Sequence, residues 1–210
     1  MRACWPSAAP RAWYFEPMAA IGVILASVRE GRRGEAFARW LLELGGAHAG
    51  LELELVDLRD WPLPSYSYRV RALEAEQHYS AGSLQARWAE SMRRFDGFVL
   101  VSPEYNRGYP GQLKNALDTL YQAWNYKPVA FLTYGGFAAG SRAAEQLAQV
   151  TRELKLVPLR DEVNLSLIGL AVDERGFPTG ELHGRKAQTL LTELAFWVDL
   201  LKSGRERLPH

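Results

Sequence analysis

The chain has 210 residues, enough for one domain of ordinary size, and its 48% hydrophobic, 11% aromatic and 23% charged residues are the composition of a folded protein. Lys and Arg number 25 and Asp and Glu 24, so the formal charge of +1 argues against a dedicated nucleic-acid binder and against a strongly acidic electron carrier. One cysteine, Cys4, excludes an internal disulfide framework, the four histidines lie far apart without metal-ligand spacing, and no apolar run reaches the ~18 residues that cross a bilayer. The expectation is a cytoplasmic protein with no metal, no nucleic-acid partner and no membrane partner.

Residues 1–18 hold two Trp, three Pro and the only Cys without any period, and are expected to be a disordered extension or to precede a working start at Met18. Ala20 to Ala26 is a short apolar run, the mark of a strand buried on both faces. After a polar loop, Ala36, Phe37, Trp40, Leu41 and Leu44 recur at helical spacing, and Gly45-Gly46 stops that helix. Leu51, Leu53 and Leu55 alternate with Glu52 and Glu54, which predicts an edge strand. Residues 60–82 read as a long irregular stretch. Leu84, Trp88, Met92 and Phe95 predict a helix, and Gly97 to Val101 a buried strand. Leu113, Leu117, Leu120 and Trp124 predict the next helix, with Pro110 suited to its first turn. Pro128 to Tyr134 predicts a strand, Ala143 to Leu154 a helix, Val163 to Leu167 the last strand, and Leu190 to Leu201 a helix ending at Gly204.

Five strands alternating with five helices predict an α/β fold, a doubly wound five-stranded parallel sheet with helices on both faces. The reading is a single domain over 19–204, with 205–210 as a tail. Ligands of such sheets bind beyond the carboxyl ends of the strands, so the loops after residues 26, 101 and 134 carry the functional information. The first loop, Ser27 to Gly34, holds three Arg and one Glu ahead of a helix. A helix N-terminus offers unpaired N–H groups, Ser27 adds a hydroxyl, and Gly31 and Gly34 admit close approach. That suits a phosphate; a solvated basic turn is the alternative.

The loop after the third strand runs Ser102-Pro-Glu-Tyr-Asn106, then Pro110-Gly111, then Leu113-Lys-Asn-Ala-Leu-Asp118. This composite motif resembles the NADPH-dependent FMN reductase family, which has a flavodoxin-like fold and includes quinone, azo and chromate reductases. Ser27 and Arg29 fit its phosphate loop, Tyr134-Gly135-Gly136 and Gly140-Ser-Arg-Ala143 fit its loop after the fourth strand, and the likeness spans roughly residues 20–170. Ala26 stands where Gly is common, Arg32 where many members have Ser or Thr, and 60–82 and 171–185 follow the pattern poorly.

The resemblance implies bound FMN, hydride taken from NAD(P)H and passed by a ping-pong scheme to a quinone, azo, flavin or metal-oxyanion acceptor, and a homodimer or homotetramer. The basic loops lean toward NADPH. It assigns cofactor binding to Ser27, Arg29, Arg32, Gly34, Pro103, Glu104, Tyr105, Asn106, Tyr134, Gly135 and Gly136. In that reading Pro103 fixes the turn and the Asn106 amide ties the turn's own backbone together. No side chain is assigned a catalytic role, because hydride transfer from nicotinamide C4 to flavin N5 needs no acid or base. A flavodoxin-like electron carrier and a flavin-loaded redox-regulatory protein are the alternatives.

Further residues keep two readings each. Glu104 orients the turn or is solvated, and Tyr105 flanks the ring or packs. Lys114, Asn115 and Asp118 meet a subunit, support the turn or form ordinary surface. Trp124 and Tyr126 overhang a cofactor across a dimer or pack, Arg142 meets the NADPH phosphate or forms a salt bridge, and His78 touches substrate or lies on the surface.

Overall fold

The computed structural model describes residues 18–48 and 50–208, so the extension expected over 1–18 lies, apart from Met18, outside the described residues. Strand β1 (Ala19–Leu25) pairs in parallel with β2 (Leu51–Asp57) on one side and β3 (Gly97–Pro103) on the other. β3 pairs with β4 (Pro128–Gly135), and the spatial order is β2-β1-β3-β4-β5. That order is the flavodoxin-like form of the doubly wound sheet.

The fifth position is divided. β5 (Val157–Pro158) pairs with Pro128-Val129, and β6 (Val163–Ser166) pairs with Leu132 to Gly135 on the same strand β4. The expected last strand at 163–167 is therefore the second half of an interrupted one. Pro158 has no N–H for a ladder, and the charged run Arg160-Asp161-Glu162 separates the halves.

Side chains alternate between the faces. Val99 and Val101 point to a core with Phe37 and Leu41 of α1 (Gly34–Gly46) and Leu190, Leu194 and Val198 of α6 (Glu181–Arg205). Phe98 and Leu100 point to the opposite core. It holds Trp88 and Met92 of α3 (Leu84–Arg93), Leu113 and Leu117 of α4 (Gly111–Asp118), and Leu147 of α5 (Ser141–Glu153). Period-2 alternation on strands buried on both faces is what the apolar runs required. β2 exposes Glu52 and Glu54, as an edge strand does.

Three helical details differ from expectation. The irregular 60–82 stretch contains a short helix α2 (Ala72–Ala75) and a 3₁₀ turn, Glu76–His78. α4 stops at Asp118, and Trp124 belongs to a separate 3₁₀ turn, Gln122–Trp124. The cause is Glu76, whose fully buried carboxylate pairs with Arg93 and accepts the N–H groups of Tyr121 and Gln122, each at 2.7 Å. Those donors are lost to a helical ladder. α6 extends through Arg205, one residue past the expected end.

Candidate functional site

The loops leaving β1, β3 and β4 close around one cleft of about 310 Å³ at the carboxyl ends of the strands. All the residues assigned to cofactor binding line it except Gly34 and Asn106, and Gly31, Arg33 and Leu167 complete it. Gly34 lies directly behind the wall, where a Cβ would collide with the Tyr134 hydroxyl.

The wall formed by the first loop is held by neighbours that are distant in sequence. Ser27 is fully buried, and its hydroxyl lies 2.8 Å from the Tyr105 phenol. The Arg29 N–H donates to the same Ser27 oxygen at 3.4 Å, and the Arg29 guanidinium sits 5.6 Å from the centroid of the Tyr105 ring. Arg32 donates through Nη1 to the Ser27 carbonyl at 2.6 Å and to Asp57 Oδ1 at 2.7 Å, and through Nη2 to Asp57 Oδ2 and Glu35. Asp57, at the end of β2, was invisible as a site residue; its signal is an acid where the edge strand meets the basic loop. Burial pushes its carboxyl up, but hydrogen bonds from Arg32 and the Arg59 N–H outweigh that and hold it below the usual carboxylate range. Counting Asp57 lowers the loop's charge from +2 to +1.

The second wall is the turn after β3. The Glu104 N–H donates to the Tyr134 carbonyl at 2.8 Å, which ties this turn to the loop after β4. Tyr105 and Gly108 exchange backbone hydrogen bonds of 2.8 and 3.0 Å, with Asn106 (φ 49°) and Arg107 (φ 73°) left-handed between them. The expectation that the Asn106 amide ties the turn together is corrected, because that side chain is exposed and makes no hydrogen bond to the described residues. Asn106 serves through its tolerance of the left-handed region, and the backbone pair closes the turn. At Gly135 a Cβ would stand 3.1 Å from the Glu104 Cβ, tighter than an ordinary contact, so the lack of one lets the two loops pack closely.

The structure places several of the residues with more than one reading as follows. Arg142 donates to Glu104 Oε1 at 2.8 Å, the salt-bridge reading. The Asn115 side chain accepts the Tyr66 N–H at 2.9 Å and donates to the carbonyls of Leu63 and Pro64 at 3.2 and 3.0 Å. It thus braces the irregular stretch rather than the turn. Lys114 pairs with Asp118 on its own helix. Trp124 is buried in the core beside Phe98 and Trp88, and His78 is exposed and outside the cleft.

Arg32 Nε, a buried donor in the cleft's wall, has no partner within the described residues, and neither has the buried acceptor Glu104 Oε2; the buried Tyr134 hydroxyl stands near Ser27 and the Gly34 N–H. Burial, with the Tyr105 phenol nearby, raises the Tyr134 hydroxyl far above its ordinary range, so it is a proton donor at every physiological pH. α1 begins at Gly34 behind this wall, with the Ala36 and Phe37 N–H groups already donated to the Arg33 carbonyl. Pro103, Tyr105, Gly135 and Gly136 line the rest of the cleft with a proline ring, an aromatic ring and glycine backbone. This donor set and shape fit a phosphate ester that carries a planar heterocycle, the chemistry of FMN. Among the described residues there is no group of three or more His, Cys, Asp or Glu placed to hold a metal, and no helix is long and apolar enough to cross a membrane.

Comparison with known proteins agrees with this geometry. Residues 19–168 match the family described as NADPH-dependent FMN reductase. An NAD(P)H-dependent FMN reductase of Schizosaccharomyces pombe is 40% identical over 134 residues, which cover 64% of this chain and 66% of that protein. A quinone reductase of Pseudomonas putida is 32% identical over 137 residues, covering 60% of this chain and 68% of its own. Among solved structures, the flavoenzyme NAD(P)H:(acceptor) oxidoreductase FerB of Paracoccus denitrificans superposes with a TM-score of 0.71 at 22% identity, covering 87% of this chain and 98% of that one, and so shares its fold. The chain belongs to the NADPH-dependent FMN reductase family and is an NAD(P)H-dependent FMN oxidoreductase.

Proposed function

We propose that the cleft holds FMN and that NAD(P)H and a small acceptor of the quinone, azo, flavin or metal-oxyanion class use it in turn, by a ping-pong scheme. The observation that carries this reading is the convergence of three loops, from residues 27, 103 and 134 onward, on one cleft that holds the unpartnered donor Arg32 Nε. FMN, when bound, supplies the two-electron chemistry that takes hydride from NAD(P)H and delivers it to the acceptor.

The chain's own residues bind and orient. Ser27, Arg29 and Arg32 hold the phosphate end, with Gly34 behind them and Arg32 offering Nε because its other nitrogens are engaged. Pro103 to Tyr105 and Tyr134 to Gly136 hold the ring end, and Asn106 shapes the turn from outside the cleft. Arg29 and Arg33, free of carboxylate partners among the described residues, favour the more highly charged NADPH over NADH. The exposed Phe196 and Leu200, one turn apart on α6, support a homo-oligomer, dimer or tetramer, and the single cysteine supports a reducing, cytoplasmic setting.

The test is the visible absorption spectrum of protein saturated with FMN and desalted, before and after anaerobic NADPH. Retained colour that bleaches supports the reading, and a colourless protein overturns it. Parallel double-reciprocal plots across acceptor concentrations support the ping-pong scheme; intersecting plots exclude it.

A further inference from the structure

We propose that the Glu104–Arg142 ion pair sets the reduction potential of the flavin, an inference that rests on the cleft being the FMN site. Glu104 stands in the cleft wall with its side chain 9% exposed. One carboxylate oxygen accepts from Arg142 Nη1 at 2.8 Å, and the other has no partner. Its position is fixed from two sides, by its N–H on the Tyr134 carbonyl and by its Cβ against Gly135. Arg142 is the second residue of α5, set behind the wall rather than in its lining, with its side chain 41% exposed.

Of the three arginines lining the cleft, Arg33 has no carboxylate partner among the described residues and the other two are engaged. Arg32 is neutralised by Asp57, and Arg29 lies on the Tyr105 ring. Arg142 alone among the described basic residues pairs with the Glu104 carboxylate. Reduction adds electrons to the ring system. A buried carboxylate in the wall raises the energy of that added negative charge, and the guanidinium lowers it. With the carboxylate 9% and the guanidinium 41% exposed, the wall screens these opposed effects less than bulk water does. The pair therefore works as a balance, and removing either arm tips it in a defined direction.

The experiment measures the two-electron potential of bound FMN by anaerobic equilibration with a reference dye, and the dissociation constant of oxidised FMN by flavin fluorescence. Both use the full-length chain. Glu104→Gln is expected to raise the ratio of the dissociation constants of oxidised and reduced FMN about tenfold, a rise of about 30 mV for a two-electron couple. Arg142→Gln is expected to lower it by a similar factor, and the double variant to return near wild type. Arg142→Lys keeps the charge and stays near wild type. Arg152→Gln, on the exposed side of the same helix, changes net charge equally and leaves the potential in place.

Equal potentials in wild type and both single variants, or shifts of the same sign, overturn the proposal. Should Arg142→Gln fail to fold, Glu104→Gln against Glu104→Asp decides it, because only loss of the charge raises the potential. Wild-type protein that retains no FMN removes the functional reading and this inference together, whereas retained FMN with unmoved potentials removes the inference alone.

Discussion

The Ser27 hydroxyl and the Tyr105 phenol lie 2.8 Å apart across 78 positions of sequence, and they join the loop after β1 to the turn after β3. The two walls of the cleft are thus linked before any ligand arrives. A net hydrogen bond of this kind contributes about 1 kcal/mol. Tyr105→Phe keeps the ring under Arg29 and removes the link, so FMN binding is expected to weaken about fivefold with little change in thermal stability. Titration by flavin fluorescence quenching checks this, and an unchanged dissociation constant would show that the link does not organise the site.

Arg32 and Asp57 are 4% and 17% exposed and share a two-pronged contact. Asp57→Asn takes the closer of two carboxylates from a buried guanidinium, leaving only Glu35 at 3.4 Å, and removing one partner of such a pair costs about 3 kcal/mol. Urea unfolding measures it. The same pair gives the acid limb of stability its shape. The folded Asp57 carboxyl titrates below its unfolded value, so its stabilisation is complete above about pH 4 and drains away as pH falls through the lower folded value. The Asp57→Asn variant is expected to lose stability less steeply than wild type below pH 4.

Gly34 and Tyr134 form a steric pair. Gly34→Ala places a methyl group against the Tyr134 hydroxyl and is expected to destabilise the chain by about 1–3 kcal/mol. Tyr134→Phe removes the obstructing oxygen, so the double variant should recover part of that loss. Strict additivity in a double-mutant cycle would mean the collision is relieved elsewhere.

Lys127 is buried with its ammonium on the carbonyls of Met92 and Arg93 at 3.0 and 3.2 Å, and burial lowers its pKa to about 7. The unfolded lysine stays charged to about pH 10, so between pH 7 and 10 the unfolded chain binds the extra proton and stability rises with pH. Lys127→Met is expected to abolish that rise. Unfolding midpoints at pH 7, 8 and 9 for both proteins test the sign.

Strands β1, β3 and β4 were legible because burial on both faces writes itself as an unbroken apolar run. The cleft loops were legible through their motif. What stayed hidden was set by partners far along the chain. The break in α4 comes from Glu76, 45 positions before Tyr121. The role of Asp57 comes from parallel pairing that sets it beside Leu25, next to the loop it neutralises. The division of the fifth strand depends on where β4 offers pairing, and a local period carries no record of that.

The Asn115 side chain grips residues 63–66 only through main-chain atoms, two carbonyls and one N–H. Such a grip is indifferent to which side chains the segment carries. Leu63, Ser65 and Tyr66 can be exchanged without loosening it, while α4 keeps the segment's path unchanged. The segment is in this way anchored at one amide, and substitution can redraw its surface while its backbone stays in place.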